Sequence, residues 1–188
     1  MKKTLFLLLA AGMMAACGQA RNPQQPTAEA QAAQQTETAA PQAEPGAIRS
    51  IDASVRGADI LPAIAKNYEG KVVLVDVWAT WCGPCRQAMA QVDQFKEEMR
   101  KQGCVFVYIA GENSPRDIWE KMVAGITGDH YRLTATQWDD LCQSLNITGI
   151  PSYLILGKDG KVAYDNTAEG GYPGSEVLKN NLAVALTK

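Results

Sequence analysis

The hydropathy pattern changes abruptly along the chain, and each change marks a boundary. Residues 5–16 form an apolar run behind Lys2 and Lys3, and residues 18–47 contain no large apolar side chain at all. From residue 48 onward, apolar positions recur as they do in the strands and helices of a packed domain. Five of the six residues in "VVLVDV" (72–77) are apolar and Val repeats, so this run predicts a strand buried on both faces, with Asp76 as the exception. "CVFVYIA" (104–110) predicts a second buried strand. A short helix is expected over 60–68, stopped by Gly70, and a long one opens at the cysteines and runs through 86–100. "SPRDIWEKMVAGI" predicts a helix with Ser114 as its cap and Pro115 at its first position. "DHYRLT" reads as a short extra strand, and Thr134 or Thr136 caps a helix through "QWDDLCQSL". "IPSYLIL" and "VAYDN", joined by "GKDGK", read as a hairpin, and 175–186 closes the chain as an amphipathic helix. This order predicts an α/β domain, a central mixed β-sheet flanked by helices on both faces.

The first 47 residues read differently. Residues 1–16 combine a positive start, an apolar stretch too short to span a bilayer comfortably, and the small residues Ala15 and Ala16 before Cys17. This ending resembles the lipobox of bacterial lipoproteins, which implies that Cys17 is acylated and becomes the mature N-terminus. Met14 departs from the usual Leu, and an ordinary cleaved secretory signal is the competing reading. Either reading takes the protein out of the cytoplasm, to the cell envelope facing the periplasm or exterior, where disulfides persist. Residues 17–47 are expected to be a lipidated Cys and a disordered linker, reaching roughly 30 Å on average. The domain proper is then 48–188.

Net charge is −2, with no basic run, which leaves nucleic-acid binding without an electrostatic footprint. The chemistry is concentrated at Cys82-Gly83-Pro84-Cys85, between the strand and the long helix. Thiolate is the reactive form of cysteine, and a helix N-terminus favours negative charge. Cys82 is expected to be the more exposed sulfur, attacking a substrate disulfide, and Cys85 the shielded one that resolves the mixed disulfide. Gly83 and Pro84 keep the turn compact, since a first-turn proline loses no helical hydrogen bond. A zinc site lacks its second half, because Cys104, Cys142 and His130 are scattered, and haem attachment lacks its histidine, Arg86 standing in that place. A peroxidatic thiol lacks Thr three residues ahead, Thr80 being two ahead of Cys82. A purely structural disulfide is the remaining bland reading. Neither a metal nor a cofactor is expected.

"VDVWATWCGPC" and "ITGIPSYLILGKDGK" resemble the active-site strand and the cis-proline loop of thioredoxin, and the resemblance covers most of 48–188. The exported context and the long stretch between Gly111 and Gln137 are more similar to the TlpA-type branch, membrane-anchored thiol–disulfide oxidoreductases. The resemblance implies a thioredoxin-like fold in which Ile150-Pro151 is cis and packs beside the cysteines, with the backbone of Ile150 pairing with an extended substrate segment. It also implies that Asp76 is the buried acid that exchanges a proton with Cys85, with Lys71 as a possible partner. The alternative is a strand that turns Asp76 to water. Trp78 is expected in the core and Trp81 on the rim that meets substrate; Trp119 and Trp138 are assigned to packing and His130 to a surface loop. Cys104 and Cys142 are expected as two free, buried thiols, with a second disulfide as the alternative.

The activity so implied is the reduction of disulfides in client proteins by a monomer held to a membrane through its lipid, with a membrane thiol–electron donor recharging Cys82 and Cys85. The competing class is a client-binding or chaperone-like module that uses the Ile150-Pro151 ledge with little redox turnover. Cys17→Ala is expected to move the protein from the membrane fraction to the soluble one on cell fractionation; retention at the membrane contradicts lipidation.

Overall fold

The computed structural model describes residues 46–188. The expected leader, Cys17 and most of the linker lie outside the described residues. The sheet consists of β1 (Ile48–Arg49), β2 (Val72–Val77), β3 (Cys104–Gly111), β4 (Asp129–Leu133), β5 (Ser152–Leu156) and β6 (Val162–Asp165). The helices are α1 (Ile60–Ala65), α2 (Gly83–Lys101), α3 (Arg116–Val123), α4 (Ala135–Ser144) and α5 (Ser175–Thr187). Strand order is β1-β4-β3-β2-β5-β6, with β1/β4, β4/β3 and β3/β2 parallel and β2/β5 and β5/β6 antiparallel. This is the mixed sheet expected from the order of elements.

Strand alternation divides the core between two faces. Val72, Leu74, Trp78, Phe106, Tyr108, Tyr153 and Ile155 point to one face, covered by α2, α3 and α5 through residues such as Val92, Phe95, Trp119, Leu178 and Leu182. Val73, Val75, Val77, Val107, Ile109, Leu154 and Leu156 point to the other, against Ile60 and Ile64 of α1 and Leu141 of α4. All six residues of β2 are buried, which is why its sequence is a continuous apolar run rather than an alternating one.

Several local expectations need correction. The helix over 60–68 is an α-helix flanked by 3-10 turns at Gly57–Asp59 and Lys66–Tyr68. Ser114 does not cap α3: Pro115 takes the cap position, and the Ser114 hydroxyl is engaged elsewhere. Thr134 rather than Thr136 caps α4, in a reciprocal box with Gln137. His130 is fully buried in β4, not in a surface loop, because α3 brings Trp119 edge-on to its ring. Trp138 is half-buried on α4 over Gly111, where a Cβ would come within 2.7 Å of its ring. Cys104 and Cys142 are both free, Cys104 buried and Cys142 half-buried. Cys104 belongs to the core under α2, whereas α4 packs against the opposite face, so the sheet keeps the two sulfurs apart. Burial pushes the Cys104 thiol up to about 11, leaving it protonated and inert.

Candidate active site

The turn between β2 and α2 is fixed from both sides. Trp78 is fully buried and its backbone N–H donates to Ile109 O at 2.9 Å, extending the pairing of β2 with β3 past the end of the strand. Thr80 N–H donates to the Ser114 hydroxyl at 3.1 Å, and Cys82 N–H donates to Ala79 O at 3.1 Å. Ser114 is itself fully buried, and its carbonyl accepts from the Arg132 guanidinium at 3.1 and 3.3 Å. The loop carrying the cysteines is therefore tied to α3 and β4, a role for Ser114 that its sequence neighbourhood disguises as a helix cap.

Cys82 is the N-cap of α2, and its sulfur accepts the Cys85 N–H at 3.1 Å. Pro84 lies in the first turn, where no N–H is missed. The two cysteines form a disulfide, with Cα atoms 5.3 Å apart. Cys82 is 4% exposed and Cys85 0%, so the order of accessibility is as expected but both are nearly enclosed; the open surface is supplied by Trp81, 61% exposed, and by Pro84. When the pair is reduced, the Cys85 N–H and the helix N-terminus both face the Cys82 sulfur and favour its thiolate.

The Ile150-Pro151 peptide is cis, and the Ile150 carbonyl lies 3.7 Å from the Cys82 sulfur. The loop is pinned in several places. Gly171 N–H donates to Pro151 O at 2.7 Å, and the Ser152 hydroxyl donates to Gly149 O at 2.6 Å. The buried Asn166 side chain accepts from Tyr153 N–H at 2.8 Å and donates to Gly171 O at 2.9 Å.

Asp76 lies on the α2 face of β2, 2% exposed. The register sets it between Tyr153 of β5 and Tyr108 of β3, and sets Tyr108 in turn beside His130 of β4. Four neighbouring strands thus contribute one row of polar-tipped side chains to an apolar core. Both Asp76 oxygens, the Tyr108 and Tyr153 hydroxyls and His130 Nδ1 are buried without a hydrogen-bond partner among the described residues. Burial pushes the Asp76 carboxyl up to about 7, against the smaller opposing effects of the nearby Tyr153 hydroxyl and the Lys96 ammonium. Lys71 is exposed at the start of β2; the cation that acts on Asp76 is Lys96 of α2. Cys85 belongs to the same buried cluster as Tyr108 and Tyr153. A carboxyl poised near neutrality in that cluster is suited to take up the proton that a shielded thiol must lose.

The comparisons with known proteins agree with this arrangement. A thioredoxin-like family profile matches residues 70–162. The chain is similar to Thiol-disulfide oxidoreductase ResA of Geobacillus kaustophilus, 26% identical over 98 residues, 51% of this chain and 54% of the relative. It is also similar to Thioredoxin-1 of Saccharomyces cerevisiae, 27% identical over 99 residues, 53% of this chain and 67% of that one. The chain spans between 54% and 59% of the length of the ResA relatives it matches. Among solved structures, the thioredoxin domain of a thiol-disulfide oxidoreductase from Bacteroides vulgatus superposes with a TM-score of 0.56 at 19% identity, covering 64% of this chain and 83% of that one. A secreted thiol-disulfide isomerase from Corynebacterium glutamicum superposes with a TM-score of 0.54 at 20% identity, covering 65% and 75%. With its mixed sheet and a disulfide at the N-terminus of α2, the chain belongs to the thioredoxin-like superfamily.

The buried carboxyl has a stability signature. Its folded value lies above the unfolded one, so the folded state holds the proton more tightly between about pH 4 and 7, and stability falls as pH rises through that window. Raising a carboxyl from 3.8 to about 7 costs on the order of 4 kcal/mol once it is ionised. Asp76→Asn is expected to leave thermal unfolding of the oxidised protein nearly unchanged at pH 4 and to stabilise it increasingly up to pH 8. A pH-independent difference between the two proteins contradicts this assignment.

Proposed function

We propose that the protein is an extracytoplasmic thiol–disulfide oxidoreductase that reduces disulfides in client proteins through Cys82 and Cys85. The observation that carries this reading is the disulfide at the N-terminus of α2, with the Ile150 carbonyl 3.7 Å from its outer sulfur and Asp76 buried in the sheet behind. Relatives bearing the name thiol-disulfide oxidoreductase support it.

In the reduced protein the Cys82 thiolate attacks one sulfur of a client disulfide, and the other client sulfur leaves as a thiolate that takes a proton. A mixed disulfide joins Cys82 to the client. Cys85 gives its proton to the Asp76 carboxylate and attacks the Cys82 sulfur, expelling the second client thiolate. Two electrons have then moved from the cysteine pair to the client, and the 82–85 disulfide remains. Trp81, Gly83 and Pro84 form the rim over which the client lies. The Ile150 backbone has no backbone partner among the described residues and sits outside the β5 ladder, which suits pairing with an extended client segment.

The reducing direction follows the Gly-Pro pair between the cysteines, by analogy with reducing thioredoxins. Reduction outside the cytoplasm requires a membrane thiol–electron donor, and Cys17 acylation supplies the membrane attachment. None of the described helices is long and apolar enough to cross a membrane.

Insulin reduction with dithiothreitol as electron source tests the reading. Wild type is expected to accelerate precipitation of the insulin B chain, Cys82→Ser to be inert, and Cys85→Ser to accumulate mixed disulfides with clients. An active Cys82→Ser protein overturns it, and an inert wild type favours the client-binding module instead.

A further inference from the structure

The ammonium of Lys96 is an unusual occupant of its site. Its position on α2 continues the helix's apolar stripe of Cys85, Ala88, Met89, Val92 and Met99, and its side chain is 7% exposed. Its ion pair with Asp93 does not explain the burial, because Asp93 is 60% exposed and such pairs contribute little. The ammonium instead lies 5.1 Å from the centre of the Tyr108 ring and 5.8 Å from that of Phe106. Tyr108 is the β3 residue directly in register with Asp76. The outer end of this arrangement opens on a cavity of about 220 Å³ lined by Asp93, Lys96, Glu97, Arg100, Gly125 and Thr127. One side chain therefore runs from a charged surface recess to the aromatic neighbour of the buried acid.

We infer that Lys96 is a positioning residue that brings a buried positive charge to the Asp76 carboxyl, with Tyr108 as its shelf, and so sets how readily that carboxyl takes up the Cys85 proton. This rests on the reading of Asp76 as proton acceptor. Tyr108 from β3 and Tyr153 from β5 flank Asp76 in register, Lys96 from α2 acts on it, and Cys85 of α2 lies in the buried cluster that holds both tyrosines. His130 stacks on the far side of Tyr108 at 5.1 Å between ring centres, and Tyr172 meets Tyr153 edge-on at 5.8 Å. Of these, burial lowers His130 and so favours its neutral form, and desolvation raises Tyr108 and Tyr153, which keeps both hydroxyls protonated. Lys96 is then the charge that offsets part of the cost of ionising Asp76.

The test is an NMR titration of the Asp76 carboxyl carbon in the oxidised protein, read beside the pH profile of insulin reduction. Lys96→Met is expected to move the Asp76 inflection upward by about one pH unit. The alkaline rise of the turnover profile should move with it. Lys96→Arg, which keeps the charge, should restore both. An unmoved inflection in a cooperatively folding Lys96→Met protein, or an arginine variant that behaves like the methionine one, overturns the proposal. Should Lys96→Met fail to fold, Lys96→Gln takes its place, and an unmoved inflection in that variant overturns it. Turnover indifferent to Asp76→Asn while the titration still responds to Lys96 would instead refute the role of Asp76.

Discussion

A buried carboxyl without a hydrogen-bond partner among the described residues sits at the centre of the sheet, and the site is organised around it. Asp76 occupies a position where the fold otherwise demands an apolar side chain, between Tyr108 and Tyr153 and under α2. The sheet gains nothing from it, since either a neutral amide or a small hydrophobe would cost less there once the carboxyl ionises. Its value is chemical. A buried carboxyl brought near neutrality is suited to accept and return protons, the role proposed for it here.

The other parts of the site hold that acid and the cysteine pair in fixed positions. β2 is buried on both faces and paired on both sides, which holds Asp76 rigidly. α2 begins at the cysteines and buries its apolar stripe on the same face of the sheet, so helix packing fixes Cys85 in the cluster that includes the neighbours of Asp76. Ser114 and Arg132 hold the connecting loop, and Asn166 and Gly171 hold the proline loop opposite. Each of these contacts joins segments far apart in the chain. The geometry at the disulfide is thus a property of the whole domain rather than of the four-residue motif.

This division explains what could be read from the sequence. The β2 run, the helix opened by Cys82, the hairpin after Pro151 and the Thr134 cap depend on local period and local chemistry, and they were legible. Ser114 reads as a cap because Ser-Pro before a helical pattern is a good local cap signal, whereas its actual partner, Thr80, is 34 residues away. His130 lies in a short segment with polar neighbours, and only the approach of α3 and Tyr108 buries it. Lys96 carries a signal of its own: a lysine in phase with the apolar stripe of a helix is either snorkelling to water or serving a buried charge. Choosing between those outcomes required the register of the sheet beneath it.

We propose that Asp76 takes the proton from Cys85 in the resolving step. Loading Cys82 with thionitrobenzoate and following release of the coloured thiol by stopped-flow isolates that step. The account predicts a rate that rises with pH through an inflection near 7 in the wild type. In Asp76→Asn the inflection should vanish and release at pH 7 should slow by about 10²-fold. Identical pH profiles in the two proteins would contradict it.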